Sequence, residues 1–156
     1  MFLRFYLVVG ASDIAIAVAM QELHAATYPS RNVTVKDNTI LDTNNIAASS
    51  VILVYRTEGT TASVRNNNVT VMGNSIANDV GAYHGILINH TNDVNVLDNK
   101  INISGRNGTG KYGIFLGNQV DGAYYNGNQI WRNYAPPVAV DALATNVRAG
   151  TTILLP

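Results

Sequence analysis

Five side chains in this sequence could serve a reaction on a substrate, four of them in acid–base chemistry and one in binding. His84, Lys111 and Tyr112 are each candidates for the base that removes a proton, and Glu58 adds a carboxyl group. Arg56 could bind a substrate carboxylate through paired hydrogen bonds. The sequence leaves open whether the chain is catalytic, and the alternative for His84 is a packed, hydrogen-bonded histidine.

A second set of residues could hold a sugar chain, because aromatic, amide and guanidinium groups suit sugar rings and their substituents. These candidate substrate-binding residues are Tyr55, Arg56, Arg65, Asn89 and Phe115. Three of them lie near the longest insertion, residues 55–67, and long loops on a rigid scaffold often carry function. Aromatics that only cover strand edges or pack against a partner remain the alternative.

The acidic residues and histidines do not form a convincing metal site. Asp37 and Asp98 occupy equivalent positions of a repeat, but Gly73 lies between them, so they should stand about 10 Å apart. That distance is too long for two carboxylates to share one calcium ion. His24, His84 and His90 have no metal-ligand spacing. We therefore predict no cofactor; Ca²⁺ is the alternative, and ligand spacing does not support it.

The overall composition restricts the partners and the fold class. The chain of 156 residues is large enough for one domain, and only 13% of its residues are charged, with a formal net charge of +0. A nucleic-acid partner is not expected, because phosphate binding needs a surplus of Lys and Arg. No uncharged run reaches 18 residues, so no membrane span is expected either.

The elements that would position these side chains come from a repeat of nine residues. Its clear copies are NVTVKDNTI from Asn32, NVTVMGNSI from Asn68, DVNVLDNKI from Asp93 and GAYYNGNQI from Gly122. Every copy has asparagine at its seventh position and isoleucine at its ninth. The copies begin 36, 25 and 29 residues apart, which is typical of a coil with a constant core turn and variable loops.

Within each repeat, alternation such as Val33-Thr34-Val35 indicates a half-buried strand, and a second apolar run such as Ile86–Ile88 follows at a constant place. Because Asn-Gly or Asp-Gly connections at hairpin spacing are missing, we expect parallel stacking on the next turn rather than hairpins. The repeated asparagines should bond one another in a ladder along the coil. The sequence thus predicts an all-β, single-stranded parallel β-helix (a solenoid) of about six turns, with three strands per turn.

Both ends of the chain match the repeat weakly. YLVVGASDI from Tyr6 fits it with Ser12 at the asparagine position and Ile14 at the isoleucine position, and NVRAGTTIL from Asn146 fits with Thr152 at the asparagine position. We expect one domain, residues 1–156: a degenerate first turn or cap at 1–31, clear repeats at 32–131 and a weak last turn at 132–156. A signal segment is the alternative for the N-terminus.

The Val-x-Val-x-x-Asn-x-Ile pattern resembles right-handed parallel β-helix proteins of the pectate-lyase-like superfamily, which include polysaccharide lyases, hydrolases, epimerases and phage tailspikes. The resemblance implies right-handed coiling and is specific for fold but not for chemistry. Tyr83-His84-Gly85 is similar to the His-Gly part of the pectin-hydrolase motif, and Thr91-Asn92-Asp93 loosely to an Asn-Thr-Asp element. The paired aspartates and the Arg-Ile-Lys sequence of those hydrolases are missing.

Two functions from different classes follow from these observations. The first is a carbohydrate-associated module that binds, and if catalytic cleaves or epimerises, an extracellular polysaccharide along its side. The second is a structural or assembly element, such as a tailspike-type shaft or a piece of a longer solenoid. Apolar residues Ile153–Leu155 near the end of the last turn favour a homo-oligomer or a longer chain. The resemblance implies an extracellular or virion-associated protein.

Overall fold

The structure is a computed structural model, and all regular elements in its described part are β-strands. It describes residues 2–3, 7–9, 15–23, 26–41, 50–56, 65–78, 84–103, 112–131 and 136–156. Among these residues there is no helix with the length and apolar character needed to cross a membrane.

In the described part of the chain, eighteen strands form three sheets of six strands each. Sheet A contains, in spatial order, β1 (Phe2–Leu3), β5 (Arg31–Lys36), β8 (Asn66–Met72), β11 (Thr91–Leu97), β14 (Asp121–Asn126) and β17 (Arg148–Ala149). Sheet B contains β2 (Leu7–Val9), β6 (Thr39–Leu41), β9 (Ser75–Asn78), β12 (Lys100–Ile103), β15 (Asn128–Trp131) and β18 (Thr152–Leu155). Sheet C contains β4 (Ala26–Tyr28), β3 (Ile16–Leu23), β7 (Ser50–Arg56), β10 (His84–Ile88), β13 (Tyr112–Leu116) and β16 (Val138–Val140).

The chain coils as a right-handed parallel β-helix of six turns, which confirms the predicted fold. After the N-terminal turn, each complete turn contributes one strand to sheet A, then one to sheet B and one to sheet C, and the last described turn contributes β17 to sheet A and β18 to sheet B. Each strand pairs in parallel with its equivalent one turn later, as Val69 with Val94 and Ile76 with Ile101. In the last turn, Thr152 pairs with Asn128.

The core consists of stacked β-branched side chains. In sheet A the valines of the Val-x-Val segment face inward and are buried, and in sheet B the isoleucines form a second ladder. The isoleucine ladder is Ile40, Ile76, Ile101 and Ile130. These side chains lose little rotamer freedom on a pleated surface, so the repeat suits both the strand and its packing.

An asparagine ladder lies at the corner between sheets A and B, as predicted. The side-chain Nδ2 of each asparagine donates to Oδ1 of the next: 2.8 Å from Asn38 to Asn74, 2.9 Å from Asn74 to Asn99 and 3.0 Å from Asn99 to Asn128. The same Oδ1 atoms also accept the backbone N–H of the preceding asparagine at 3.0–3.1 Å. Each corner of the coil is therefore bonded to the next through both backbone and side chain.

Left-handed backbone at two positions of the repeat explains its other polar residues. At the sixth position Asp37, Gly73, Asp98 and Gly127 have φ of 55°, 63°, 52° and 67°. The first position behaves in the same way at Asn32, Asn68, Asp93, Gly122 and Asn146. Asn, Asp and Gly tolerate this conformation better than other residues, so the aspartates here serve the turn.

Two expectations for the N-terminal part are wrong. Phe2 pairs with Thr34 and Val8 with Ile40, so Val8 rather than Ile14 holds the isoleucine position, and the match starting at Tyr6 has the wrong register. This segment carries no asparagine to mark the corner, and alternating apolar residues alone match several registers. Strand β4 also runs antiparallel to β3, with Leu23 opposite Ala26. Antiparallel strands need only two linking residues, and Asn-Gly is a preference rather than a requirement.

Candidate functional site on the outer surface of sheet C

Sheet C is the sheet whose connections vary from turn to turn. The corner between sheets A and B is constant, with two residues linking β5 to β6, β8 to β9 and β11 to β12. The connections into sheet C differ in length and comprise residues 42–49, 79–83, 104–111 and 132–137. The connections out of it comprise 57–65, 89–90, 117–120 and 141–147. Variable connections on a rigid coil are where binding residues are usually placed, so the outer surface of sheet C is the candidate site.

A break in the strand alternation sets which side chains face outward there. Val51 and Ile52 are consecutive, yet both are completely buried. Gly85 and Gly113 continue the inward column of Val51: a Cβ at Gly85 would lie 2.6 Å from Ile101 Cγ2, and one at Gly113 would meet the Ile130 side chain. Because Gly85 and Ile86 both face inward, the residue before them faces outward, and the same holds for Gly113 and Ile114. His84 and Tyr112, which pair with each other, therefore lie outside the core.

His84, Tyr112 and Phe115 form an aromatic cluster on this outer surface. The rings of His84 and Tyr112 stack with centroids 5.4 Å apart and planes 2° apart. Phe115 lies tilted against both, with centroid distances of 5.1 Å to His84 and 5.4 Å to Tyr112. His84 is only 6% exposed, whereas Tyr112 and Phe115 are half-buried. The accessible part of the cluster thus belongs to Tyr112 and Phe115, and His84 supports them.

The histidine is fixed by the backbone of the next turn. His84 Nδ1 accepts a hydrogen bond of 3.2 Å from the Tyr112 backbone N–H. An accepting Nδ1 carries no proton, so the neutral ring holds its proton on Nε2. This bond matches the packed, hydrogen-bonded histidine of the sequence alternative. A role for His84 as a base stays a prediction, and the unprotonated nitrogen that it needs is Nδ1, which already accepts this hydrogen bond.

Next to the cluster lie an apolar column and a polar column. Leu53, Leu87 and Phe115 pair along the outer surface and are all half-buried. Beyond them, Tyr55 and Asn89 follow Val54 and Ile88, which pair with each other. The Asn89 carboxamide lies over Gly117, where a Cβ would overlap its Oδ1. Within the described residues this buried oxygen has no hydrogen-bond partner.

Arg65 lies at the edge of sheet A instead of contacting the aromatic cluster directly. Its Nη1 donates to Asn92 Oδ1 at 3.1 Å. Asp121, which pairs with Asn92, accepts hydrogen bonds of 2.7 Å from Thr145 Oγ1 and from Asn146 Nδ2. These hydrogen bonds, first that of Thr145, hold the pKa of Asp121 below its ordinary value, and the positive charge of Arg65 acts in the same direction.

Three of the predicted site residues cannot be placed in this geometry. Glu58 and Lys111 lie outside the described residues, and for Arg56 only the backbone is described, at the end of β7. Their roles stay predictions. The structure brings together His84, Tyr112 and Phe115, with Tyr55 and Asn89 two positions further along the strands. Leu53 and Leu87 were not predicted as site residues, although their alternation with buried neighbours indicated an outward position.

No metal centre is found in the part of the chain that the structure describes. Within these residues no group of three or more His, Cys, Asp or Glu side chains could hold an ion. Asp37 and Asp98 stand on either side of Gly73, whose missing Cβ would lie 2.5 Å from Asp37 Oδ1. The repeat predicts this arrangement, in which Gly73 separates the two aspartates.

Comparisons with known proteins add little to this geometry. No family model matches the chain, and no curated protein matches it. Among solved structures, the chain is similar to a crystal structure from Parabacteroides merdae described as a "putative glycosyl hydrolase". The two share 10% sequence identity with a TM-score of 0.49, over 95% of this chain and 80% of that chain. We base no argument on a likeness at this level.

Proposed function

We propose that the protein binds an extracellular polysaccharide along the outer surface of sheet C. The observation that carries this proposal is the aromatic cluster, in which Tyr112 and Phe115 are half-buried on a rigid sheet and backed by His84. The resemblance of the repeat to pectate-lyase-like proteins supports the choice of a carbohydrate. The proposal concerns binding and assigns no reaction.

The chemistry of the surface suits a sugar ring in two ways. An aromatic ring offers a flat apolar surface on which the C–H side of a sugar can pack, at little cost in side-chain entropy because Tyr and Phe have few rotatable bonds. Tyr55 and Asn89 supply a hydroxyl and a carboxamide in the adjacent column. The unpartnered Asn89 Oδ1 could accept a hydrogen bond from a sugar hydroxyl after a small rotation of its carboxamide.

The stacked turns also favour a chain-like ligand over a single sugar. Tyr55, Asn89 and Gly117 belong to three successive turns, which are spaced about 4.8 Å apart in a β-sheet. Phe115 continues the apolar column of Leu53 and Leu87 over the same turns. A ligand lying along the coil axis would meet an outward apolar side chain on each of these turns, so longer oligosaccharides should bind more tightly than short ones.

The test is binding of the 156-residue chain to a panel of neutral and acidic polysaccharides, followed by titration calorimetry with the best oligosaccharide. We expect Tyr112→Ala and Phe115→Ala each to weaken binding by about tenfold or more, because buried aromatic contacts dominate recognition surfaces. Tyr124→Ala is the matched control: this half-buried tyrosine lies on the outer surface of sheet A and should leave binding unchanged.

Absence of binding across the panel contradicts the proposal, and so does equal loss of affinity in the Tyr124→Ala variant. Release of reducing ends or of unsaturated products from the same panel is measured in parallel. Turnover that Lys111→Ala or Glu58→Ala removes without loss of binding would assign a reaction to those two residues in addition.

A further inference from the structure

Large apolar side chains are exposed in the last turn of the coil and in the segment that leads into it. Val140, Leu143, Ile153 and Leu154 are 44%, 65%, 47% and 50% exposed. Leu154 pairs with Ile130 of the preceding turn, and Ile130 is completely buried. The equivalent position therefore changes from core to surface within a single turn, because no further layer of the coil covers it among the described residues.

All three sheets also end in an open strand at this end of the coil. β16, β17 and β18 are the outermost strands of sheets C, A and B, and within the described residues nothing pairs with their far side. An exposed strand edge presents unpaired N–H and C=O groups and favours pairing with another strand. The surface that fits here must supply three strand edges and an apolar centre together, and the end of another β-helix is such a surface.

The opposite end of the molecule differs in a way that favours one arrangement of two copies. There β4 runs antiparallel along β3 and occupies the edge of sheet C. If the last turn of one copy stacked on this end of another copy with all strands parallel, β16 would lie beside β4 and not beside an open parallel strand. A second last turn offers three open edges, so a two-fold, end-to-end contact is the better match.

We propose that two copies of the chain associate end to end through their last turns, beyond any role in binding carbohydrate. A two-fold axis through sheet B reverses the strand direction and exchanges sheets A and C. β18 then lies antiparallel to β18 of the second copy, and β16 lies antiparallel to β17 of the second copy. Ile153 lies opposite its own counterpart at the axis and Leu154 is the next residue along the strand, so the contact removes exposed apolar surface from water.

Charge complementarity supports this axis. Asp141 directly follows β16 and Arg148 begins β17, and they are the charged side chains of residues 136–156. In the antiparallel pair the C-terminal end of one strand lies beside the N-terminal end of the other. Asp141 therefore comes close to Arg148 of the second copy, and symmetry gives this pair twice. Arg148 is exposed, with its guanidinium carbon 5.4 Å from the Tyr124 ring, so its charge is available for the contact.

Sedimentation velocity of the 156-residue chain between about 1 and 100 µM tests the proposal. We expect a concentration-dependent change from 16.7 kDa to twice that mass. Arg148→Asp and Asp141→Arg should each raise the dissociation constant at least about tenfold, because each brings like charges together. The double variant exchanges the charges and should recover most of the affinity. Far-UV circular dichroism checks that every variant keeps its β-structure.

Three results would each overturn the proposal. One is a chain that stays monomeric over the whole range, and another is dimerisation that both single charge variants leave unchanged. The third is growth into species larger than a dimer, because a head-to-tail contact continues indefinitely whereas a two-fold contact closes. Ile153→Glu provides a second variant that does not depend on the charged pair, and it should also favour the monomer by placing two carboxylates at the axis.

Discussion

At the scale of single residues, the asparagine ladder shows how one side chain can hold two turns together. Asn99 Oδ1 accepts from the backbone N–H and the Nδ2 of Asn74, and Asn99 Nδ2 donates to Val71 O at 3.0 Å and to Asn128 Oδ1. Aspartate has no N–H to donate, and glutamine is longer by one methylene. Asparagine is therefore the residue whose carboxamide meets both the donor and the acceptor requirements of this buried corner.

Replacing an asparagine in the middle of the ladder should strongly destabilise the coil. Asn99→Ala leaves the buried donors of Asn74 without their acceptor, and we expect the free energy of unfolding to fall by about 2–4 kcal/mol. Urea unfolding followed by circular dichroism measures the change. Asn95→Ala is the matched control, because Asn95 lies on the outer surface of β11, the strand that precedes this corner, and its effect should stay within about 0.5 kcal/mol. Equal effects of the two substitutions would contradict the ladder's role.

Asp121 should link stability to pH. Its pKa is lowered in the folded protein, chiefly by the Thr145 hydroxyl, so folding favours the ionised form. The resulting stabilisation is present above the ordinary aspartate pKa of 3.8 and is lost as the pH falls through the folded-state pKa. Asp121→Asn should therefore lower stability near neutral pH and have less effect at about pH 3. A difference in urea midpoint that is the same at both pH values would contradict this linkage.

At the scale of elements, the sequence predicts strands better than it predicts which side of a strand a residue occupies. Val33, Val69 and Val94 alternate strictly with outward residues, and both strand and register follow from that period. In sheet C, strict alternation counted from Ile86 would place His84 inside. The inward pair of Gly85 and Ile86 reverses this, and that break comes from close packing against Ile101, which no local pattern records.

The glycine at this break should not tolerate a larger side chain. Gly113→Ala places a methyl group against the Ile130 side chain and 3.0 Å from the Pro137 carbonyl oxygen, so we expect a loss of about 1–3 kcal/mol in unfolding free energy. Gly117→Ala is the control, since the added methyl there meets the end of the Asn89 side chain, which can rotate away. If both alanines cost the same, the inward orientation of Gly113 is wrong.

At the scale of the whole molecule, the coil divides its perimeter between stability and function. The corner of sheets A and B keeps two residues in its central turns, with a left-handed residue followed by an asparagine of the ladder. The corners flanking sheet C vary, and the aromatic cluster lies between them. The sequence predicts this division, because the copies of the repeat begin at unequal distances and the additional residues fall in these connections. It could not predict that His84, Tyr112 and Phe115 touch, since their contact depends on the stacking of two turns.

The measurement that tests the account most directly is NMR mapping of a bound oligosaccharide on the isotope-labelled 156-residue chain. The account predicts that amide shifts change along the outer surface of sheet C, at residues 84–89 and 112–117, and stay unchanged in the strands of sheet B. Saturation of the ligand's C–H protons should transfer to the Tyr112 and Phe115 rings, which face outward. Shift changes centred on sheet A or sheet B, with sheet C unaffected, would contradict the assignment of the binding surface.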